Sequence, residues 1–225
     1  MTPNSTHPFV SPQRERLAEA VRHLIDAVLT VEDATEEQLG TAADLTEGVA
    51  RHLGRVPRAD DPVRGTRGRA ERYHTDYLPR SPLVGEVSPL APPIEWEYVD
   101  GRMHGHGTYH AAYEGPPGYV HGGWVALTFD EILGMANIAS GHPGMTGTLK
   151  IRYLRPTPLH RTVELEGWTE RVEGRRIVAK GRMTVDGELT AEAEGLFITI
   201  DATLAEEYFG KTTGEAAAPG VPDPI

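Results

Sequence analysis

Cysteine is missing from all 225 residues of the chain. That removes disulfides, thiolate metal sites and cysteine nucleophiles together, and fits a reducing compartment. Positive charge is scarce. The 22 Lys and Arg stand against 33 Asp and Glu, a formal net charge of −11, which argues against general nucleic-acid affinity and suits a cytoplasmic protein. Met1 to Pro12 hold no basic start followed by an apolar run, so no signal peptide is expected. A Gly-x-Ser-x-Gly elbow is absent, which speaks against a serine hydrolase of that fold. So are a P-loop, a Gly-x-Gly-x-x-Gly loop and a His-Glu-x-x-His pair. No membrane span is expected, because the most apolar run, 121–141, carries Asp130, Glu131 and Asn137 near its middle.

That run is what the rest of the chain is organised around. Trp124, Val125, Leu127, Phe129, Ile132, Leu133, Met135 and Ile138 leave almost no polar side, the pattern of a buried helix. It opens on Gly122-Gly123, so bare backbone N–H groups lie at its positive end, where a ligand oxygen could be received. About two turns later comes Asp130, a carboxylate in apolar company, costly unless paired or used.

Before it, Ser11-Pro12 and the capping box Thr35-Glu36-Glu37-Gln38 open two amphipathic helices, expected near 12–29 and 36–53 as a helical hairpin. Between residues 12 and 54 nine Asp/Glu face four Arg, so a DNA-reading pair is disfavoured. A packing or dimerisation appendage, or a lid, is the expectation. Residues 55–93, rich in Arg, Gly and Pro, read as an irregular linker lying over the surface. Two strands flank the hairpin turn Asp100-Gly101, the second running to about 113 with His104, His106 and His110 on one face. A solvated face is preferred there to a metal site, since no nearby carboxylate completes the ligand set. After the helix, strand-like runs fall near 146–155, 161–172, 175–186 and 189–200, with Asp186-Gly187 as another turn. The whole reads as α+β, an antiparallel sheet wrapped round a helix, with disordered tails at 1–11 and 210–225.

Three pieces of sequence then combine. The run Glu114-Gly115-Pro116-Pro117-Gly118-Tyr119-Val120-His121-Gly122-Gly123, the Asp nine residues after that His, and Thr146-Gly147-x-Leu149-x-Ile151-x-Tyr153-x-Arg155-Pro156-x-Pro158 resemble the hotdog-fold acyl-CoA thioesterases of the PaaI type. The resemblance covers roughly residues 80–203 and places a hotdog domain at 94–203, with the helical hairpin outside it. It implies a long helix wrapped by an antiparallel sheet, a homodimer or homotetramer, and hydrolysis of acyl-CoA without metal or cofactor, coenzyme A entering as part of the substrate. The Gly122 or Gly123 N–H would hold the developing oxyanion. Asp130 would act as general base on water or as nucleophile. Thr146 would orient the water or the acid, and His121 would fix the loop or share in carbonyl binding. One departure stands out: some members carry Asn six residues before the His, where this chain has Gly115.

Each feature has a plainer reading too. His-Gly-Gly alone could be a tight loop, Asp130 alone a structural acid capped by Thr146 or an arginine, and Thr146 alone an ordinary strand residue. Their joint spacing favours catalysis. Coenzyme A brings phosphates, and residues 150–182 hold nine Lys/Arg against four Glu; Arg152, Arg155, Arg175, Arg176 and Lys180 are the candidates to meet them. Gly122 and Asp130 lie on one helix about 12 Å apart at ~1.5 Å per residue. Both cannot reach one carbonyl at roughly 3 Å, so the site is expected to be shared between two chains. The expectation is an acyl-CoA thioesterase, the alternatives being a non-hydrolytic acyl-CoA-binding or regulatory hotdog protein and an enoyl-CoA hydratase.

Overall fold

The computed structural model describes residues 10–56 and 79–199. The expected tails, apart from residues 10 and 11, and residues 57–78 of the linker lie outside the described residues.

Local signals place the elements. Helix α1 (Pro12–Thr30) starts where the Ser11 hydroxyl accepts from the Arg14 N–H at 3.3 Å, with proline in its first turn. Helix α2 (Glu36–Gly54) starts on a complete capping box: Thr35 Oγ1 accepts from the Gln38 N–H, and Gln38 Oε1 from the Thr35 N–H. Strands β1 (Ile94–Val99) and β2 (Arg102–Thr108) meet at a turn with Asp100 at φ 50° and Gly101 at 78°. Asp186 and Gly187 repeat the turn, at 53° and 78°. Two successive positive φ values match the right-handed twist of the flanking strands. The long helix α3 (Gly122–Ala139) follows, then β3 (Gly144–Tyr153), β4 (Thr162–Glu173), β5 (Arg176–Val185) and β6 (Glu188–Thr199).

The six strands form one sheet in the order β1-β2-β4-β5-β6-β3, every pair antiparallel. Helix α3 carries the chain from β2 across the sheet to β3 at the far edge, packing on β2 to β6 as it goes. Val125, Phe129, Ile132, Leu133 and Ala136 meet Val163, Leu165, Ile177, Ala179, Met183 and Phe197 from the sheet to form the core. Gly167 and Gly181, paired across β4 and β5, let the helix sink in: a Cβ on Gly167 would lie 3.0 Å from Ile132, and one on Gly181 3.1 Å from Leu133.

Three expectations are corrected. The second strand ends at Thr108, and residues 111–113 form a 3-10 turn that buries Tyr113. The segment before β1 does not simply lie over the surface: Leu83, Val84 and Ala91 are buried, Leu83 and Val84 within the core. Ser81 anchors it, accepting from the Leu83 and Val84 N–H groups while donating to Glu131 on α3. Helix α3 is not covered all round either. Gly123 and Ile138 are exposed and Leu127, Asp130 and Gly134 half-buried, a continuous stripe along one side. In the extension, α1 packs on the 3-10 turn, and Arg22 donates to the Ser88 carbonyl. Helix α2 buries no residue, and Leu39, Leu45, Val49 and Leu53 stay exposed.

Candidate active site

The less covered stripe of α3 includes the predicted acid, Asp130, and a residue of β3 holds it there. Thr146 Oγ1 donates to Asp130 Oδ1 at 2.7 Å. A bulge makes this bond. Leu149 and Ile151 pack toward the core, so strict alternation would put residue 147 on the helix side. The register against β6 slips between Thr146 and Thr148, leaving Gly147 as the extra residue, and Thr146 stands opposite buried Phe197. The slip turns Thr146 inward onto Asp130. Bulges recur beside active sites for this reason.

The Thr146 bond leaves the second carboxylate oxygen of Asp130 for other partners. Beside it, Glu131 is held above its ordinary 4.5, chiefly by burial and also by the charge of Asp130, while the Ser81 hydroxyl opposes the rise. A carboxyl that binds its proton more tightly folded than unfolded contributes stability below the unfolded value and loses it as pH rises through the folded one. Glu131→Gln is therefore expected to raise Tm by a few degrees at pH 8 and leave it unchanged at pH 4. Thermal unfolding at the two pH values checks this.

The first turn of α3 is set by His121. Its carbonyl accepts from the Trp124 and Val125 N–H groups, and its ring nitrogen Nδ1 accepts from the Gly123 N–H at 2.9 Å. The Gly123 donor is thus taken, and the Gly122 N–H has no partner among the described residues. Of the two donors named from sequence, the structure leaves one open. Behind this turn stands an aromatic column. Tyr113 meets Trp124 edge-on at 4.9 Å and Tyr109 at 5.4 Å, and Tyr109 bonds Thr128 on α3. Burial pushes the Tyr113 phenol up to about 12, so it remains a neutral wall. One contact had no signal in the sequence: the Tyr153 hydroxyl, at the end of β3, donates to the Gly122 carbonyl at 2.9 Å.

The five candidate cations do not gather. Arg152 and Lys180 share the outer sheet face, away from Asp130, and are paired with Glu192 and Glu170. Arg155 pairs with Glu188 beside the β5–β6 turn. Arg175 and Arg176 lie at the β4–β5 turn, at the other end of β5, with Arg175 donating to the Thr199 carbonyl. His104 and His106 are exposed on the outer face, as a solvated strand requires. No cluster of three metal-ligating side chains occurs among the described residues.

A long helix laid into an antiparallel sheet of this order defines the hotdog class of fold. Comparison with known proteins then fixes the family. The sequence model of the thioesterase superfamily matches residues 117–192. A solved crystal structure described as a thioesterase superfamily protein is 34% identical, with a TM-score of 0.71, covering 82% of this chain and 90% of its own. Residues 94–199, under half of the chain, cannot supply that coverage alone, so the likeness reaches into the N-terminal part. The acyl-coenzyme A thioesterase THEM4 of Xenopus laevis is 34% identical over 89 residues, 39% of this chain and 40% of that protein. Its Mus musculus counterpart is 36% identical over 90 residues, 39% of each. The match thus spans about 40% of the length of these curated relatives. The chain belongs to the thioesterase superfamily.

Proposed function

We propose that this chain is an acyl-CoA thioesterase whose site forms between two copies of it. The observation that carries this reading is Asp130, hydrogen-bonded by Thr146 on the side of α3 that is least covered among the described residues. The open donor at Gly122 begins the same helix, about 12 Å away at ~1.5 Å per residue. The acid of one chain and the donor of a second are the pair that can close on one carbonyl. Among the described residues strand β3 pairs only with β6, at the end of the sheet, and Met145, Tyr153 and Ile138 are 50%, 56% and 40% exposed. An edge strand and exposed apolar side chains suit a second copy related by a two-fold axis. The family, and the acyl-coenzyme A thioesterase relatives within it, support the substrate class.

The chemistry needs no group beyond the chain and water. The thioester carbonyl accepts from the Gly122 N–H, and Asp130 of the other copy takes a proton from water as that water attacks the carbonyl carbon. The tetrahedral intermediate places its negative oxygen on the donor. Collapse breaks the carbon–sulfur bond, and the proton on Asp130 passes to the leaving thiolate, giving the free acid and CoA. In the nucleophilic variant the Asp130 oxygen attacks first and expels the CoA thiolate, leaving a mixed anhydride. Water then opens the anhydride to the free acid and the Asp130 carboxylate, and the proton that water gives up passes to the thiolate. A panel of acyl-CoA esters with a thiol-reactive dye tests the proposal. Thiol release by the wild-type chain is expected with at least one ester, whereas tight binding without release would point to the non-hydrolytic reading.

A further inference from the structure

A backbone N–H can only donate, and the Gly123 N–H lies 2.9 Å from His121 Nδ1. That nitrogen must therefore present its lone pair, and the neutral ring carries its hydrogen on Nε2. The peptide unit that donates here has another end. Its carbonyl, that of Gly122, accepts from the Tyr153 hydroxyl at 2.9 Å. Tyrosine, peptide and imidazole thus line up with every hydrogen pointing one way, and donation into the carbonyl strengthens donation from the N–H of the same amide. The Nε2–H at the end of the line is exposed and unpartnered among the described residues.

Position 115 gives this line its meaning. A side-chain donor there would need room that the chain does not have: a Cβ on Gly115 would lie 2.7 Å from His121 Cα and 3.0 Å from its Cβ. The space is filled by His121 itself. We propose that Tyr153, the Gly122–Gly123 peptide and His121 form a polarised relay whose last member, the His121 Nε2–H, joins the Gly122 N–H as second donor to the thioester carbonyl oxygen. The inference rests on the thioesterase reading and deepens it. His121 touches the substrate in this scheme, and Tyr153 is a positioning residue acting through the peptide.

His121→Ser separates a donor from a mere helix cap, because serine caps a helix start well but cannot reach out as a donor in the ring's place. The expected result is a fall in kcat of about 100-fold or more, the effect of losing one oxyanion donor, with KM and Tm near wild type. Tyr153→Phe is expected to lower kcat several-fold at unchanged KM. Long-range proton–nitrogen spectra of the full wild-type chain at mildly alkaline pH should show the His121 ring protonated on Nε2 and bare at Nδ1. That readout stands even if His121→Ser folds poorly. A His121→Ser enzyme as fast as wild type, or a ring protonated on Nδ1, overturns the relay and leaves the thioesterase reading intact. A wild type that releases no thiol from any ester defeats both.

Discussion

Asp130→Asn is expected to lower kcat for acyl-CoA hydrolysis by about a thousand-fold, or roughly 4 kcal/mol of transition-state stabilisation, with KM little changed. The substitution is nearly isosteric, and the asparagine oxygen can still accept from Thr146, so the bond that fixes the side chain survives. What disappears is the capacity to take a proton from water or to attack the carbonyl. Because Asp130 is only half-buried and the bond from Thr146 is kept, thermal stability should stay close to wild type. Loss of kcat with a preserved Tm then reports on chemistry. Steady-state thiol release beside a melting curve reads both quantities, and an Asp130→Asn chain with wild-type turnover would remove the acid from the mechanism.

Much of this arrangement was legible in the sequence wherever its cause is local. The Asp-Gly turns at 100–101 and 186–187 set their hairpins, and Thr35 with Gln38 set the start of α2. Alternation along β3 puts Leu149, Ile151 and Tyr153 on one face; Leu149 and Ile151 do pack on the core, while Tyr153 stays 56% exposed. The spacing from His121 to Asp130 to Thr146 pointed to a helix cap and to two residues that the structure does bring together, because it reflects one helix and the strand after it. What escaped depends on partners distant in the chain. Leu127 and Ile138 read as buried, since an apolar side chain in the sequence does not say which side of its helix the sheet will cover. Strand pairing sends Arg155 and Arg175 to opposite ends of β5, so a cluster of cations in sequence is no cluster in space. The Tyr153 contact and the anchoring of Ser81 on Glu131 arise only once β3 and the segment before β1 have docked on α3.

Gly122→Pro, mixed with Asp130→Asn, tests where the two halves of the site come from. Proline removes the N–H that, among the described residues, is the one left open at the helix start. Gly122 is the first residue of α3, its φ is not positive, and His121 before it is extended at φ −61°, ψ 133°. Both positions are ones that a proline and its predecessor accept. A Cβ there meets the Tyr153 ring at 3.6 Å, an ordinary contact. The variant should fold and lose about 100- to 1,000-fold in kcat, or roughly 3–4 kcal/mol, the effect of removing one oxyanion donor. If each site takes its donor from one chain and its acid from the other, a heterodimer of the two variants contains one site with both lesions and one with neither. Equal mixing with free subunit exchange then restores about one quarter of wild-type activity, since about half of the dimers are mixed and each has one working site. Two variants, each nearly dead alone, become active together only if the geometry is shared. Verified heterodimers with no recovery would place the donor and the acid of each site on a single chain, against the separation along α3 that motivates the reading.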